Sequence, residues 1–198
     1  RECAIYPAGL RPSAKTSAGL AGPARPHGDH PWHSDVIRVG GIVPARLTAT
    51  IEARMTSTRL PGKVLALAAG KPMLELMIER LRYVREIDEI VIATTVNAAD
   101  DPIEALGKRL GVGVFRGSEE NVLERLVQAT HAYKVDTLVQ LTGDCPLIDP
   151  QIVSKVIQCY LTAGVDYVSN VLTRSYPIGM DTQVYAASVL HDVLGRVD

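Results

Sequence analysis

The sequence EIVIATT at residues 89–95 decides the fold class of this chain. Its apolar run Ile90-Val91-Ile92-Ala93 is too short for a helix and is rich in β-branched residues, so it predicts a strand buried on both faces. Strands covered on both faces occur in parallel sheets, where crossover helices pack against the two sides of the sheet. We therefore expect an α/β protein.

Strand-like and helix-like segments alternate on either side of this run, from Leu47 to the end of the chain. The patterns predict strands at 47–53, 89–95, 112–115, 137–141, 166–169 and 182–185, and helices at 72–84, 101–110, 118–133 and from 149 onward. For the helix at 118–133 we expect Ser118 as the N-cap and Val122 on the buried side. This alternation predicts a mostly parallel sheet with ligands at the carboxyl ends of its strands.

Residues 1–46 differ in composition from the remaining 152 residues. They hold six prolines and six glycines and carry a net charge of +3, whereas residues 47–198 carry −4. Such a density of proline and glycine cannot bury enough apolar surface to offset the entropy lost on ordering. We expect a disordered tail at 1–46 and a folded domain at 47–198. A metal site built from His27, His30 and His33 is the less favoured alternative, because their spacing does not form a helical face.

The overall charge and the cysteines exclude several classes of protein. With 21 basic and 22 acidic side chains, the net charge of −1 gives no electrostatic footprint for a nucleic acid or an anionic membrane surface. No apolar run reaches the roughly 20 residues of a membrane-spanning helix. Cys3, Cys145 and Cys159 are too far apart for a disulfide framework or a zinc site. We expect a cytoplasmic protein without nucleic-acid or membrane partners.

A cationic loop follows the first predicted strand of the folded domain. Residues 53–63 contain Arg54, Arg59 and Lys63 together with three hydroxyl side chains, among them Ser57. Guanidinium groups, an ammonium group and small residues are what a polyanion such as a nucleoside triphosphate requires. The loop is neither a Walker A sequence nor a GxGxxG fingerprint. A solvated basic loop without a ligand is the alternative.

A single carboxylate follows the strand predicted at 137–141. Asp144 stands at the mouth of that strand, between Gly143 and Cys145. Mg²⁺ prefers one or two carboxylates and otherwise keeps water and phosphate oxygens, so Asp144 is a candidate magnesium ligand. The alternative is an aspartate that only caps a turn. Cys145 has no evident histidine partner and is expected to be a packing residue.

Several ordered stretches carry a family resemblance. Residues 52–65, EARMTSTRLPGKVL, resemble the opening signature of the spore-coat polysaccharide type cytidylyltransferases, relatives of the CMP-sialic acid and CMP-3-deoxy-manno-octulosonate synthetases. Further stretches agree with that family in order and spacing, at residues 70–74, 92–95, 115–123, 142–149, 166–170 and 176–181. The resemblance covers about residues 47–198, and residues 1–46 have no counterpart in it.

The resemblance implies a fold and a reaction. The fold is a three-layer α/β/α sandwich of the nucleotide-diphospho-sugar transferase type, around a mostly parallel, mixed sheet. The reaction is the attack of a sugar oxygen on the α-phosphate of CTP, which gives a CMP-sugar and pyrophosphate and uses Mg²⁺. The family's second acidic metal ligand lies beyond Asp198, so we expect the domain at 47–198 to be incomplete at its C-terminus. A homodimer is also implied, and the acceptor is expected to be an acidic or amino sugar of a surface polysaccharide.

The resemblance also implies roles for individual residues. The residues that would bind the nucleotide are Arg54, Ser57, Arg59, Lys63, Gly117 and Ser118. Among them the three cations would bind the triphosphate and stabilise the departing pyrophosphate, while the last two would face the cytosine or its ribose. The catalytic residues would be Arg54, Lys63 and Asp144, with Asp144 as the Mg²⁺ ligand. The residues that would border the acceptor sugar are Asn170, Tyr176 and Asp181.

Two residues depart from the family pattern. Glu52 stands where the family usually has glutamine, and its carboxylate would repel a triphosphate unless it points away. Thr56 stands where glycine is common and would be strained if the loop required a positive φ there.

Two other functions stay open. One alternative function is a GT-A type glycosyltransferase, although Thr142-Gly143-Asp144 is not a D-x-D motif. The other is a non-catalytic nucleotide-binding fragment.

Overall fold

Nine strands, five α-helices and two short 3-10 helices, Lys63–Leu65 and Ala98–Asp100, lie in the part of the chain that the structure describes. A computed structural model describes residues 4–6 and 45–196. The strands are β1 (Ala4–Tyr6), β2 (Leu47–Glu52), β3 (Leu67–Ala68), β4 (Lys71–Pro72), β5 (Glu89–Thr95), β6 (Gly113–Gly117), β7 (Thr137–Thr142), β8 (Tyr167–Ser169) and β9 (Gln183–Ala186). The helices are α1 (Met73–Leu81), α2 (Asp101–Leu110), α3 (Val122–Tyr133), α4 (Pro150–Ala163) and α5 (Ala187–Leu194).

A mixed, mostly parallel sheet runs through the described residues. Its seven strands follow the order β1-β8-β9-β7-β2-β5-β6, and β7, β2, β5 and β6 are parallel to one another. Strand β9 is antiparallel to its neighbours β7 and β8, and β1 is antiparallel to β8. Strands β3 and β4 form a separate two-stranded ribbon. The predicted α/β class with a mostly parallel sheet is confirmed.

The sheet changes its direction of growth between β2 and β7. From β2 the chain adds β5 and then β6 on one side, and it later returns to add β7 on the opposite side of β2. The connections that leave the carboxyl ends of β2 and β7 therefore diverge, and a crevice opens between them. This crevice is the place where the sequence predicts a ligand site.

Helices cover both faces of the sheet and bury two hydrophobic clusters. On one face α1, α2 and α4 pack against strand residues such as Ile51 and Ile92. On the other face α3 and α5 pack against Leu138 of β7 and Tyr185 of β9. Because successive residues of a strand point to opposite faces, β5 and β7 contribute to both clusters. The architecture is the expected three-layer α/β/α sandwich.

Helix α3 begins later than predicted. Ser118 does not cap it; the N-cap is Asn121, whose side-chain oxygen accepts a hydrogen bond from the N–H of Glu124 at 3.0 Å. The hydroxyl of Ser118 instead accepts from the N–H of Asn121 at 3.0 Å, which forms a separate turn ahead of the helix. The prediction of a buried Val122 is also wrong: this residue is 37% exposed because it lies in the first turn, at the edge of a cavity.

Other elements agree with the predictions to different degrees. Strand β5 and helix α2 have their predicted bounds, 89–95 and 101–110, and α2 ends at Gly111, whose φ of 67° lies in the left-handed region. Helix α5 and the β3–β4 ribbon have no counterpart in the predictions, because elements of two to eight residues give little periodic pattern.

None of the described helices combines the length and the apolar character that crossing a bilayer requires.

The segment at 1–46 is described only in part. The prediction of disorder covers all of residues 1–46, but Ala4–Tyr6 form β1, with Ile5 opposite Val168 of β8, so the structure differs from the prediction at these three residues. Residues 7–44, with the three histidines of that segment, lie outside the described residues. The disordered tail therefore stays a prediction there.

Candidate functional site

A cavity of about 310 Å³ opens in the crevice between the loops that follow β2 and β7. The predicted site residues that line it are Arg54, Ser57, Arg59, Lys63 and Asp144. Helix α3 contributes Val122 and Arg125 to the cavity wall. The structure thus brings the predicted triphosphate-binding loop and the predicted magnesium ligand together in one place.

The loop after β2 is closed by a backbone hydrogen bond near its two ends. The N–H of Gly62 donates to the carbonyl oxygen of Met55 at 2.8 Å, and Gly62 has a φ of 72°, which glycine adopts without strain. Thr56 is not strained, because Ala69 and Lys134 are the non-glycine residues with a positive φ in the described part of the chain. The loop therefore presents its cations to the cavity with an unstrained Thr56 backbone.

The ammonium group of Lys63 and the carboxylate of Asp144 form an ion pair across the crevice. Both side chains are partly buried, with 21% and 31% of their surface exposed. Burial alone would raise the pKa of Asp144, but the hydrogen bond and the charge of Lys63 outweigh burial and lower the pKa below its ordinary value. Asp144 is therefore ionised near neutral pH.

The ionised Asp144 suits the role of a magnesium ligand. Among residues 45–196 there is no group of three or more histidine, cysteine, aspartate or glutamate side chains arranged to hold a metal ion. Mg²⁺ does not need such a group, because it is commonly bound by one or two carboxylates and completes its shell with phosphate oxygens and water. The donor set thus fits a cation shared between Asp144 and a phosphorylated ligand.

A second carboxylate, that of Glu119, contacts the cationic loop from the side of β6. The hydroxyl of Thr56 donates to Glu119 Oε1, and the side-chain amide of Asn97 donates to Oε2 at 3.1 Å. Nη1 of Arg54 lies 4.0 Å from Glu119 Oε1. The hydrogen bonds from Thr56 and Asn97 lower the pKa of Glu119. Arg54 therefore contacts both this carboxylate and the cavity.

Arg125 is a cavity residue that the sequence analysis missed. Its side chain is 2% exposed, its Nη1 donates to the carbonyl oxygen of Ser118, and its Nε has no hydrogen-bond partner within the described residues. Burial lowers the pKa of this guanidinium, and the carboxylate of Glu52 opposes that shift. A signal was available, because Arg125 lies on the apolar face of α3, three residues after Val122 and four before Ala129.

Glu52, which departs from the family pattern, lies in the wall of the same cavity. The side-chain amide of Gln140 donates to Oε1 of Glu52 at 2.5 Å, and the hydroxyl of Tyr185 donates to Oε1 of Gln140 at 2.5 Å. This chain of hydrogen bonds holds Glu52 beside β7. Its negative charge is partly balanced by the buried Arg125.

Gly117 and Ser118 lie beside the cavity rather than in its lining. A Cβ at Gly117 would come within 2.8 Å of the Phe115 ring and 3.0 Å of Cγ of Arg125. The backbone at Gly117 can therefore pass closely beneath Arg125 only without a side chain. The two residues contact the cavity indirectly, through the hydrogen bond between Arg125 and the Ser118 carbonyl oxygen.

The predicted acceptor residues lie together in the segment 170–182, outside the cavity lining. The side-chain amide of Asn170 donates to the carbonyl oxygen of Met180 at 2.8 Å, and its oxygen accepts from the N–H of Thr182 at 2.9 Å. Both ends of the Asn170 amide therefore close this segment. Asp181 forms a two-point ion pair with Arg174, at 3.1 and 3.2 Å.

The acceptor segment is connected to the loop that carries Asp144. The N–H of Asp149 donates to Sδ of Met180 at 3.3 Å. Tyr176 is half-buried in the same segment. The role of Asn170, Tyr176 and Asp181 in binding an acceptor stays a prediction.

Comparison with known proteins shows which family this sequence is similar to. The profile of the family described as cytidylyltransferase matches residues 48–194. The chain is 40% identical over 147 residues to the spore coat polysaccharide biosynthesis protein SpsF of Bacillus subtilis, an alignment that covers 72% of this chain and 60% of SpsF. It is 34% identical over 112 residues to the 3-deoxy-manno-octulosonate cytidylyltransferase of Geobacter metallireducens, covering 57% of this chain and 43% of that enzyme.

A solved structure extends the comparison to the fold. The cytidylyltransferase from Leptospira borgpetersenii superposes with a TM-score of 0.74 at 34% sequence identity, covering 78% of this chain and 66% of that one. The chain spans 60% of the length of SpsF and a smaller share of the Geobacter enzyme. Because the family profile matches most of its length, this chain belongs to the cytidylyltransferase family.

Proposed function

We propose that this chain transfers CMP from CTP to a sugar and releases pyrophosphate. The observation that carries the proposal is the cavity in which Arg54, Arg59 and Lys63 face Asp144, in a chain of the cytidylyltransferase family. Family membership also favours this reaction over a GT-A type glycosyl transfer. The acceptor that we propose is an acidic or amino sugar, in line with a relative whose name specifies 3-deoxy-manno-octulosonate.

The three cations would act on the triphosphate. In the reaction a sugar oxygen forms a bond to the α-phosphorus while the bond from that phosphorus to the bridging oxygen of pyrophosphate breaks. Negative charge therefore grows on the leaving pyrophosphate, and guanidinium and ammonium groups of Arg54, Arg59 and Lys63 would stabilise it. Ser57 lines the same cavity and would donate to a phosphate oxygen.

Asp144 would hold Mg²⁺ jointly with the phosphates, and the ion would supply charge neutralisation of the triphosphate. In the structure the ammonium group of Lys63 donates a hydrogen bond to Oδ2 of Asp144. Release of this ion pair would free the Lys63 ammonium to donate to a phosphate oxygen. Dependence on Mg²⁺ is therefore part of the proposal, and it predicts that the metal and CTP bind more tightly together than apart.

The nucleoside would lie towards α3 and the end of β6. Val122 offers a partly exposed apolar surface in the cavity wall, on which a base can pack. Gly117 ends β6 and Ser118 follows it, and both would face the cytosine or its ribose. The acceptor would lie on the other side, where Asn170, Tyr176 and Asp181 follow β8.

Location and assembly complete the proposal. CTP is a cytoplasmic metabolite, and both cysteines that the structure describes, Cys145 and Cys159, are free thiols, so we propose a cytoplasmic location. We also propose a homodimer, which the family resemblance implies. Light scattering of the purified protein tests the assembly: a monomer at all concentrations would rule it out.

Isothermal titration calorimetry of CTP tests the proposed site. We expect saturable binding of CTP in the presence of Mg²⁺ and weaker binding when the metal is removed by a chelator. Lys63→Met should weaken binding, whereas Lys108→Met, which removes the same charge from a side chain that is 72% exposed, should leave it unchanged. Equal affinity of all three proteins for CTP would place the nucleotide elsewhere.

A further inference from the structure

We propose that Asp100 is a positioning residue that holds the cationic loop, residues 53–63, in the conformation in which Arg54 and Arg59 face the cavity. Asp100 ends the short turn before α2 and is not in the cavity lining. It would therefore act on the nucleotide only through the loop. The inference rests on the proposed function, because it assigns Asp100 to the same triphosphate site.

The carboxylate of Asp100 is fully buried and accepts four hydrogen bonds. Its Oδ2 accepts from the hydroxyl of Thr94 at 2.9 Å and from both the N–H and the hydroxyl of Thr95, the N–H at 3.0 Å. Its Oδ1 accepts from the N–H of Met55 at 2.8 Å. One oxygen is thus bound to the end of β5, and the other to the cationic loop that follows β2.

The bond to Met55 fixes a specific point of the loop. The N–H of Met55 belongs to the peptide that joins it to Arg54, so Asp100 sets the backbone position from which the Arg54 side chain departs. The carbonyl oxygen of Met55 accepts from the N–H of Gly62. Met55 is therefore held on both sides, by Asp100 and by the residue that precedes Lys63.

Burying a carboxylate costs free energy because the charge loses its contacts with water. Burial would raise the pKa of Asp100, but its hydrogen bonds, led by that from Thr95, outweigh burial and lower the pKa. The hydrogen bonds to Asp100 all come from backbone and hydroxyl groups. An apolar residue at a buried position is often at least as stabilising as a charged one. The carboxylate is instead suited to joining two N–H groups from different segments, those of Met55 and Thr95.

The replacement Asp100→Asn tests this function because it keeps the size of the side chain. An amide has one accepting end, so the side chain of this variant cannot accept from the N–H groups of both Met55 and Thr95 through different ends. Thr94→Val is the matched control. It removes one hydrogen bond to the same carboxylate, at a fully buried residue, and leaves the bond to Met55 in place.

Calorimetry with CTP and CMP, together with thermal unfolding, separates an effect on the conformation of the loop from a general loss of stability. We expect Asp100→Asn to weaken CTP binding by about tenfold or more and to change CMP binding less than about twofold, because CMP lacks the phosphates that the loop would hold. Thr94→Val should lower Tm without changing either affinity. Loss of CTP affinity in both variants in proportion to Tm, or in neither, would overturn the proposal.

Amide hydrogen exchange provides a readout that needs no nucleotide. In the wild-type protein the N–H of Met55 should be protected, and Asp100→Asn should increase its exchange rate while Thr94→Val does not. An unprotected Met55 in the wild type would overturn the proposal even if the Asp100→Asn variant failed to fold. If Met55 behaves as expected but the wild type does not bind CTP, the proposed function fails and the role of Asp100 in fixing the loop remains.

Discussion

Lys63 and Asp144, which are 81 positions apart in sequence, form an ion pair between the loops that follow two adjacent parallel strands. Each charge is one that the proposed reaction needs, the ammonium for phosphate and the carboxylate for Mg²⁺. In the structure the two charges neutralise each other. Binding of CTP with the metal would exchange this internal pair for two contacts to the ligand, and this exchange makes the site testable by single substitutions.

Asp144→Asn should remove the Mg²⁺ dependence of CTP binding and leave the far-UV circular dichroism unchanged. The amide keeps the size of the side chain but loses the negative charge that Mg²⁺ requires. Calorimetry with and without Mg²⁺ measures the effect, with Asp192→Asn on the exposed side of α5 as the control. If the variant binds CTP as tightly as the wild type in Mg²⁺, Asp144 is not the metal ligand.

Lys63→Met should weaken CTP binding and strengthen the binding of Mg²⁺ alone. The first effect follows from the loss of a cation beside the phosphates, and the second from an Asp144 carboxylate that no longer holds a competing ammonium. Titration with Mg²⁺ in the absence of nucleotide measures the second effect. A decrease in Mg²⁺ affinity would contradict the proposal that ligand binding replaces the ion pair between Lys63 and Asp144.

Gly143→Ala should destabilise the fold by about 1–3 kcal/mol and impair CTP binding. A Cβ at this position would lie 2.9 Å from the backbone oxygen of Glu52, so the loop that carries Asp144 must move away from β2. Gly195→Ala is the control, because the nearest atom to its Cβ would be at 3.6 Å. Chemical unfolding of both variants measures the difference, and equal stabilities would show that the loops tolerate the extra methyl group.

The ion pair should also make stability depend on pH in the acid range. The pKa of Asp144 in the folded protein lies below its ordinary value of 3.8, so the carboxylate stabilises the fold above that pH, and the effect is lost as the pH falls through the folded-state pKa. The stability advantage of the wild type over Asp144→Asn should therefore shrink below about pH 4. Urea unfolding at neutral pH and at several acid values checks this; a constant difference would contradict it.

Much of the fold could be predicted because the signals are local. The β-branched run of β5 and the start and stop residues of α2 define those elements without reference to the rest of the chain. The loops after β2 and β7 could be assigned to one site because parallel neighbouring strands end at the same edge of the sheet. Lys63 and Asp144 therefore converge as expected.

The remaining parts of the site depend on packing between distant segments. Asp100 is an ordinary helix-start residue in the sequence, and only the folded chain places it against Met55. Arg125 becomes a cavity residue because α3 packs its apolar face over the end of β6. The choice of Asn121 rather than Ser118 as N-cap also depends on the turn that the chain makes before the helix.

Release of pyrophosphate from CTP is the most direct test of the proposed function. The protein is incubated with CTP, Mg²⁺ and a panel of acidic and amino sugars, and the assay is repeated with a longer chain that has the full length of the relatives. We predict release that depends on one class of sugar, requires Mg²⁺ and is lost in Asp144→Asn. Absence of release from both chains with every sugar, together with absence of CTP binding, would contradict the assignment of this chain as a CMP-transferring enzyme.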